Sequence, residues 1–199
     1  MRALPLVLLL LASCAPTARG VRVAPDVAVG SAGSGSPASN PPVGGVAMPA
    51  NRSLAVNVAA PPNLATFARA LTAGGVADTL AGPGPFTLFA PTDEAFARLA
   101  PGTVQALLKP ENRASLTALL RLHLVTGRVT SAELIRRVRA GGGRASLTSV
   151  AGEPIAVSTT GGIVTLTDRG GNKSYVETAD VRHSNGTMHV VNGVLLPRI

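Results

Sequence analysis

The sequence predicts an α+β domain in which helices come first and an antiparallel sheet follows. Between residues 54 and 140, apolar side chains recur at spacings of three and four, the period of a helix that buries one face. After the glycine triplet 141–143, apolar residues alternate with polar ones in short segments, as they do in half-buried strands. Short Gly-rich turns join these segments and favour antiparallel hairpins.

The first predicted helix begins at Asn63, whose side chain suits an N-cap, and carries Leu64, Phe67 and Leu71 on one face. Other elements of the N-terminal half follow from apolar runs and from proline positions. They are a short helix at 76–80, a strand at 86–90, and helices whose first turns hold Pro101 and Pro110.

Two further helices have explicit start signals. Thr92 can accept a hydrogen bond from an otherwise unpaired amide, and Asp93 and Glu94 follow in the first turn, where the helix dipole favours negative charge. Thr130 and Glu133 have the spacing of a capping box in front of an apolar run. The sequence therefore predicts helices that begin just after Thr92 and Thr130.

The C-terminal third is expected to be almost entirely β-structure. Asn185-Gly186 predicts a type I′ hairpin turn, because both residue types tolerate a positive φ. The predicted strands are 145–150, 154–160, 163–168, 174–183, 187–191 and 194–196.

The first 13 residues have the pattern of a secretory signal peptide, with a positive charge at Arg2 and an apolar run to Leu11. The four residues from Leu11 to Cys14 resemble the lipobox of bacterial lipoproteins, which implies cleavage after Ser13 and lipidation of Cys14. Cys14 is the only cysteine, so an intrachain disulfide and a cysteine-based metal site are excluded. The alternative is a plain secreted protein whose signal happens to contain a cysteine.

Residues 14–53 are expected to form a flexible, lipid-anchored linker. They are rich in Gly, Ser, Pro and Ala, contain no aromatic side chain, and bury too little apolar area to offset their ordering entropy. Ala15 follows the cysteine in place of the Asp that is associated with inner-membrane retention in enteric bacteria. The expected location is the cell envelope, at the outer membrane, on its periplasmic face or at the cell surface.

The chain carries a net charge of +8, and its densest group of cations is Arg136, Arg137, Arg139 and Arg144. A nucleic-acid binder usually combines such a group with aromatic stacking residues or a groove-reading helix. Aromatic residues make up only 3% of this chain, so we expect no nucleic-acid partner. A solvated basic face, and a weak attraction to anionic lipid or acidic polysaccharide, both remain compatible with the group.

Two long segments resemble the hallmark segments of the fasciclin (FAS1) domain family. The first is Phe86-Thr-Leu-Phe-Ala-Pro-Thr-Asp-Glu-Ala-Phe96, and the second runs from Ala179 to Pro197. Between them, the segment from Leu119 to Val129 lies where the family carries a central Tyr-His pair. The resemblance covers residues 54–199 and implies one fasciclin domain.

The resemblance implies a helical layer packed on an antiparallel sheet or β-sandwich wedge, in a binding or adhesion module that is not an enzyme. It also implies that the polar hallmark residues Thr92, Asp93, His123 and His189 are structural. We expect Asp93, His123 and His189 to be largely buried and to hydrogen-bond the helical layer to the sheet. The tyrosine of the Tyr-His pair is Leu122 here, so the integrin-dependent adhesion linked to that region in animal members does not carry over.

The sequence offers no catalytic constellation. It contains no Gly-x-Ser-x-Gly motif, and the adjacent carboxylates Asp93 and Glu94 have the positions of capping charges. Three separated histidines without a cysteine are a weak zinc set, and His183 is expected at an exposed strand end. We therefore expect no metal or cofactor. The expected partner is a protein or polysaccharide of the envelope or of a neighbouring cell, and the alternative function is a periplasmic carrier of a small hydrophobic ligand.

Overall fold

The computed structural model describes residues 39–197. Its helices are α1 (Leu54–Val58), α2 (Ala65–Ala73), α3 (Ala77–Ala81), α4 (Asp93–Ala97), α5 (Thr103–Leu107), α6 (Arg113–Leu122) and α7 (Ser131–Ala140). Its strands are β1 (Phe86–Pro91), β2 (Leu124–Thr126), β3 (Arg144–Thr148), β4 (Pro154–Thr160), β5 (Ile163–Thr167), β6 (Lys173–His183) and β7 (Gly186–Val191). Short 3₁₀ turns at Pro62–Leu64 and Pro110–Asn112 precede α2 and α6.

The seven strands form one sheet in the order β2-β1-β7-β6-β5-β4-β3. All neighbours are antiparallel except β1 and β7, which run parallel with Phe86 opposite Gly186. An isolated bridge between Val125 and Ser149 brings the β2 edge close to the end of β3, so that the sheet curls into a near-barrel wedge. The predicted α+β class is confirmed, while the expectation of a wholly antiparallel sheet is wrong at this one pair.

Two apolar clusters hold the helices to the sheet. The larger joins α1 to α6 to the β1–β7 side, with Phe67 and Leu120 among its fully buried members. The smaller is formed by α7 against β3, β4 and β5, where Leu134 and Val138 pack among inward-facing strand residues such as Ile155. Helix α7 therefore covers the inner face of the β3–β5 region.

The predicted strand boundaries agree within one or two residues for six strands, and 154–160 matches β4 at both ends. The three-residue strand β2 was not predicted, and residues 194–196 are not a strand. The β6–β7 turn has Ser184 and Asn185 at its centre, and neither Asn185 nor Gly186 has a positive φ. The type I′ prediction is therefore wrong. Gly186 is needed for space, because a Cβ there would lie 2.2 Å from the carbonyl oxygen of Phe86.

The folded unit begins before the predicted boundary at residue 54. Val43 and Met48 are buried in the larger cluster. The Asn40 side-chain amide donates to the carbonyl oxygens of Met48 (2.7 Å) and Arg182 (2.6 Å), and the Arg182 amide donates back to Asn40 Oδ1. Residues 39–53 are thus part of the domain, because their apolar side chains bury area and the Asn40 side chain is hydrogen-bonded to β6. The predicted signal peptide, Cys14 and linker residues 15–38 lie outside the described residues.

The start of α2 also differs from the prediction. Asn63 lies inside the 3₁₀ turn, and its side chain makes no capping hydrogen bond to the helix that begins at Ala65. Instead, Asp93 Oδ1 accepts from the Thr66 amide at 2.8 Å, which satisfies one donor of the α2 N-terminus. Within residues 39–197, the helices are too short or too polar to cross a membrane.

Candidate functional site

His123 is buried at the C-terminal end of α6 and has both ring nitrogens occupied by backbone groups. Its Nδ1 lies 2.9 Å from the carbonyl oxygen of Leu119, and the amide of Leu195 donates to its Nε2 at 3.0 Å. A carbonyl oxygen only accepts and an amide only donates, so the ring is neutral and carries its proton on Nδ1. The ring therefore joins α6 to the segment after β7.

His189 in β7 makes the same kind of bridge with the opposite tautomer. Its Nε2–H donates to the carbonyl oxygen of Val129 at 2.9 Å, and the Asp180 amide donates to its Nδ1 at 3.2 Å. The ring is stacked on Phe89 of β1, with centroids 5.4 Å apart. His189 therefore fixes a bulge of β6 and the loop before α7 against the centre of the sheet.

Burial and these hydrogen bonds make both histidines poor proton carriers. Burial lowers the pKa of His123 from 6.5 to about 4, although the Leu119 carbonyl and Asp168 act in the opposite direction. Burial also lowers the pKa of His189, against the smaller raising effects of Val129 and Asp180. In each ring the unprotonated nitrogen accepts from a backbone amide, so a second proton on that nitrogen would face the hydrogen of the amide. Neither ring has a free nitrogen for general acid or base catalysis or for a metal.

The two remaining polar hallmark residues lie at the start of α4. Thr92 is buried, and its Oγ1 accepts from the Ala95 amide at 3.3 Å, which is the predicted capping bond. Asp93 is only half-buried and contacts α2 through Thr66, so the expectation that it is largely buried and reaches the sheet is wrong. Its position at a helix start leaves it at the surface of the helical layer, with no bond to either hallmark histidine.

His183 is buried, which contradicts the prediction of an exposed strand end. The Asn57 side-chain amide donates to its Nδ1 at 2.7 Å, so the Nε2 atom carries the proton and has no partner within residues 39–197. Burial first, and then the charge of Arg128, lower its pKa from 6.5 to about 4. The prediction failed because α1 packs over the β6–β7 hairpin, a long-range contact that the local pattern does not contain.

A buried polar junction at the same hairpin was not predicted. Asn185 accepts from the Leu54 amide at 2.9 Å and donates to the carbonyl oxygens of Leu80 (2.6 Å) and Gly82 (2.8 Å). One side chain thereby satisfies the N-terminus of α1 and the C-terminal end of α3. The sequence signal was the Asn itself, which was interpreted as a turn residue by its backbone preference alone.

Asp180 is a second polar residue that sequence reasoning missed. It is the only non-glycine residue with a positive φ (60°) among residues 39–197, and it lies where the β6 register shifts. Its carboxylate accepts from the Ser131 amide at 2.8 Å and from the Ser131 hydroxyl, in the first turn of α7. An aspartate inside a predicted strand is unusual, and that anomaly is the signal that could have indicated a bulge.

The basic group divides between two faces of the molecule. Arg136 and Arg137 on α7 both pair with Glu133, at 2.5 Å and 2.7 Å, and the hydrogen bond from Arg137 contributes most to the lowered pKa of that carboxyl. Arg144 begins β3 and alternates with Ala145 and Leu147, so it points away from the face that α7 covers. The four arginines do not form one continuous patch.

One concave surface is lined mainly by apolar side chains. A groove of about 500 Å³ lies between α5, α6 and the segment after β7, and Leu107, Leu119, Leu196 and Pro197 form much of its wall. Glu153 from the β3–β4 turn also lines it. Within the part of the chain that the structure describes, His, Cys, Asp and Glu side chains do not gather in any group of three or more that could hold a metal ion.

The fold formed by the helices and the curled sheet also occurs in known proteins. The sequence profile of the fasciclin domain matches residues 62–197. The chain belongs to the fasciclin domain family. Among solved structures, this fasciclin domain resembles the FAS1 domain pair of the insect cell adhesion molecule Fasciclin I, with a TM-score of 0.66 and 20% identity over 73% of this chain and 51% of that chain.

Similar fasciclin-domain sequences occur in bacteria and animals. Protein sll1483 of Synechocystis sp. is 40% identical over 132 residues, which cover 66% of each chain. The uncharacterized protein sll1735 of the same organism is 38% identical over 66% of this chain and 87% of its own length. The transforming growth factor-beta-induced protein ig-h3 of Sus scrofa is 34% identical over 64% of this chain but only 17% of its own. The chain thus spans about two thirds of the first bacterial relative and a small part of the animal one.

Proposed function

We propose that this protein is a non-enzymatic binding or adhesion module of the bacterial cell envelope. The observation that carries the proposal is the state of the two hallmark histidines. The imidazole rings of His123 and His189 are neutral and buried, and both nitrogens of each ring are hydrogen-bonded to backbone groups. The two side chains therefore stabilise the fold and are unavailable for proton transfer. We infer that a domain whose hallmark polar residues are used in this way acts through its surface.

The fold supports the same function. A solved structure with this fold belongs to an insect cell adhesion molecule, and an adhesion module needs only a stable body with an exposed binding face. The partner proposed here is a protein or polysaccharide of the envelope or of a neighbouring cell. Nucleic acid is not proposed, because the basic residues are divided between two faces and two of the arginines are paired with Glu133.

The proposed location depends on Cys14. Cleavage after Ser13 and acylation of Cys14 would tether the domain to the outer membrane through residues 15–38, and two or more acyl chains give stable anchoring. We expect the wild-type protein to incorporate labelled palmitate and to partition into detergent. The Cys14→Ser variant should remain unlabelled, and equal labelling of the two proteins would contradict the anchor.

A retention assay tests the binding function itself. The mature protein is purified in detergent, coupled to beads and mixed with envelope fragments of the same bacterium. Retention should exceed that of beads carrying heat-unfolded protein and should saturate with added fragments. Equal retention by folded and unfolded protein would remove the proposed function, because binding would then need no fasciclin domain.

The groove beside α6 favours a second candidate, a periplasmic carrier of a small hydrophobic ligand. Its volume of about 500 Å³ is within the usual range for ligand sites, and its leucine-rich wall is typical of sites for apolar ligands. Solvent extraction of the purified protein followed by mass spectrometry should then release a bound apolar molecule. The variant Ala118→Trp, which fills the groove, should lose that molecule, whereas Ala132→Trp on the exposed side of α7 should keep it. An empty wild-type protein would exclude the carrier.

A further inference from the structure

One face of the β3–β6 region is left uncovered by the helices of residues 39–197. Paired residues in neighbouring strands point to the same side, so the strand registers define a single set of side chains. This set is called the outer face, and it consists of Arg144, Ser146, Ala156, Ser158, Thr160, Ile163, Thr165, Thr167, Lys173 and Tyr175. The residues between them, such as Leu147 and Val157, point inward to α7.

The outer face carries two cations with no carboxylate partner within residues 39–197. Arg144 and Lys173 line the same depression of about 280 Å³. They stand on β3 and β6, three strand spacings apart, and the registers place Lys173 two residues along the strand from the row of Arg144, so their backbones are about 16 Å apart. An anion that contacts both side chains must therefore be extended or must carry more than one negative group.

Apolar surface lies beside these cations. Tyr175 and Ile163 are 38% and 51% exposed, and together with Val56 they are the large apolar side chains left exposed among residues 39–197. Two of these three therefore share the outer face. An exposed tyrosine offers a flat apolar ring together with a polar hydroxyl, a combination that suits ligands with both apolar and polar surfaces.

Hydroxyl groups fill all the remaining positions except that of Ala156. Ser158 pairs with Arg144 on one side and Thr165 on the other, and Thr165 in turn pairs with Tyr175. The Thr165 hydroxyl is buried and has no hydrogen-bond partner within the described residues. This hydroxyl is enclosed by its neighbours, so the hydroxyls that a ligand can reach on the outer face are those of Ser146, Ser158, Thr160 and Thr167.

We propose that the outer face binds an extended acidic polysaccharide, whose carboxylates pair with Arg144 and Lys173 while a sugar ring packs on Tyr175. The proposal rests on the proposed binding function and names its partner. Positive charge at two separated points selects a repeating anion, and hydroxyl side chains between them match sugar hydroxyls. The backbone groups of β4 and β5 are already paired on both sides, so a peptide could not add to this face as a further strand.

One acidic residue restricts the direction in which an anionic ligand can lie on the outer face. Glu177 lies two residues beyond Tyr175 on β6 and is exposed. Its carboxylate would repel an anionic chain, and it lies about 13 Å along the strand from Lys173. We therefore expect the polysaccharide to cross the strands from Lys173 towards Arg144, and not to follow β6.

Tyr175 gives a direct test, because it is the only tyrosine of the chain and tryptophan is absent. Tyrosine emission therefore reports on the outer face alone. Titration of the full mature protein with polygalacturonate should change this emission in a saturable way, and dextran, a neutral glucan, should leave it unchanged. Raising the salt from about 0.05 M to about 0.5 M should weaken binding, because exposed charges are then screened.

Charge-matched variants locate the site. Arg144→Gln combined with Lys173→Gln should weaken polygalacturonate binding roughly tenfold or more, since two charge-assisted contacts are lost. The control is Arg136→Gln combined with Arg139→Gln, which removes the same charge from α7 and should have little effect. Tyr175→Leu should also weaken binding, read by calorimetry because the fluorophore is gone.

Each other outcome would overturn the proposal. Equal weakening by both double variants would mean nonspecific attraction to a basic protein, and equal binding of single-stranded DNA would mean that the sugar is not recognised. If the beads retain envelope fragments equally well with the Arg144→Gln and Lys173→Gln variant, this inference fails while the binding function stands. If wild-type beads retain nothing, the binding function itself fails.

Discussion

Inside the domain, the side chains of His123, His189 and Asn185 are engaged by backbone groups, whereas Arg144 and Lys173 on the outer face have no partner within residues 39–197. The interior group joins elements that are distant in the chain, such as α6 to the segment after β7. The outer group lies on β3 and β6, which are separated by two strands in the sheet, and contributes little to holding them together.

This difference separates two kinds of polar residue that look alike in a sequence. A buried polar group that loses its partner costs roughly 1–3 kcal/mol of stability, while an exposed charge can be removed at little cost. The hallmark residues should therefore report on folding, and a search for the binding residues should begin on the outer face. Substitutions in each group test that division.

The largest effect should come from Gly186→Ala, where the interior has no room. The added Cβ would lie 2.2 Å from the Phe86 carbonyl oxygen and 2.8 Å from Leu54 Cδ1, so β1 and β7 could not keep their parallel register. We expect a loss of more than about 4 kcal/mol in the free energy of unfolding. Denaturant unfolding followed by circular dichroism measures it.

Gly170→Ala is the control for that measurement, because a Cβ at Gly170 would lie 3.2 Å from Asn172 Nδ2 and 3.3 Å from Asp168 Oδ1, so these side chains need to move by only a few tenths of an ångström. Its stability should stay close to that of the wild type. Similar losses in the two variants would mean that the β1–β7 contact is not a tight one.

His123→Ala should cost about 3 kcal/mol, because it leaves the Leu195 amide and the Leu119 carbonyl without partners and opens a cavity beside Phe67. Envelope binding should then decline only as the protein unfolds. The neighbouring exposed variant Arg121→Ala should melt like the wild type. An unchanged melting temperature with lost binding in His123→Ala would identify a functional histidine instead.

The sequence was sufficient where structure depends on local pattern. Strand β4 alternates buried Ile155 and Val157 with exposed neighbours, and its predicted ends are those observed. Thr92 and Thr130 both cap the helices that they precede, through bonds to the amides of Ala95 and Glu133. Alternation and capping are set within a few residues, so they can be predicted without knowledge of the fold.

The failures share a long-range cause. The parallel pairing of β1 with β7 joins residues a hundred positions apart, and nothing near either strand specifies it. His183 is buried beneath α1, and Val43 and Met48 are buried in the larger apolar cluster. Each of these residues lies in a segment that is polar or rich in glycine, so the local sequence does not indicate its burial. The outer face likewise depends on strand register, so Arg144 was grouped with the arginines of α7 from sequence proximity alone.

Lowering the pH should reduce the free energy of unfolding by a predictable amount. In the unfolded chain His123 takes up a proton near pH 6.5, but in the folded protein only near pH 4. The unfolded state therefore binds more protons between these values, and stability falls as the pH decreases from about 7 to about 4. His123 alone should contribute a loss of about 3 kcal/mol.

His183 should add to this slope, because its pKa is also lowered to about 4. Unfolding curves at a series of pH values for the wild type and for His123→Gln separate the contributions, since glutamine does not titrate. A variant slope equal to that of the wild type would mean that His123 is not held neutral by the fold.

Asp180→Ala should cost about 2 kcal/mol. The change removes the carboxylate that accepts from the amide and hydroxyl of Ser131 at the start of α7, and it places a residue with little tolerance for positive φ in the β6 bulge. Asp180→Asn keeps an acceptor oxygen and tolerates the backbone conformation, so it should recover most of the loss. Equal melting of the two variants would show that the carboxylate and the φ angle contribute nothing measurable.

The smallest interior effect should come from Thr92→Ala, which removes one capping bond to the Ala95 amide and should cost about 1 kcal/mol. Thr92→Ser retains the hydroxyl and is the matched control. On the outer face, Arg144→Gln should change stability by less than about 0.5 kcal/mol, because no described partner is lost. Thr92 is buried but its side chain makes a single capping hydrogen bond, and Arg144 is an exposed charge. A comparison of these two residues is therefore the most demanding test of the difference between the interior and the outer face. If Arg144→Gln destabilised the domain more than Thr92→Ala in chemical denaturation, the outer face would be part of the folding framework, and its charges would no longer be free to serve a ligand.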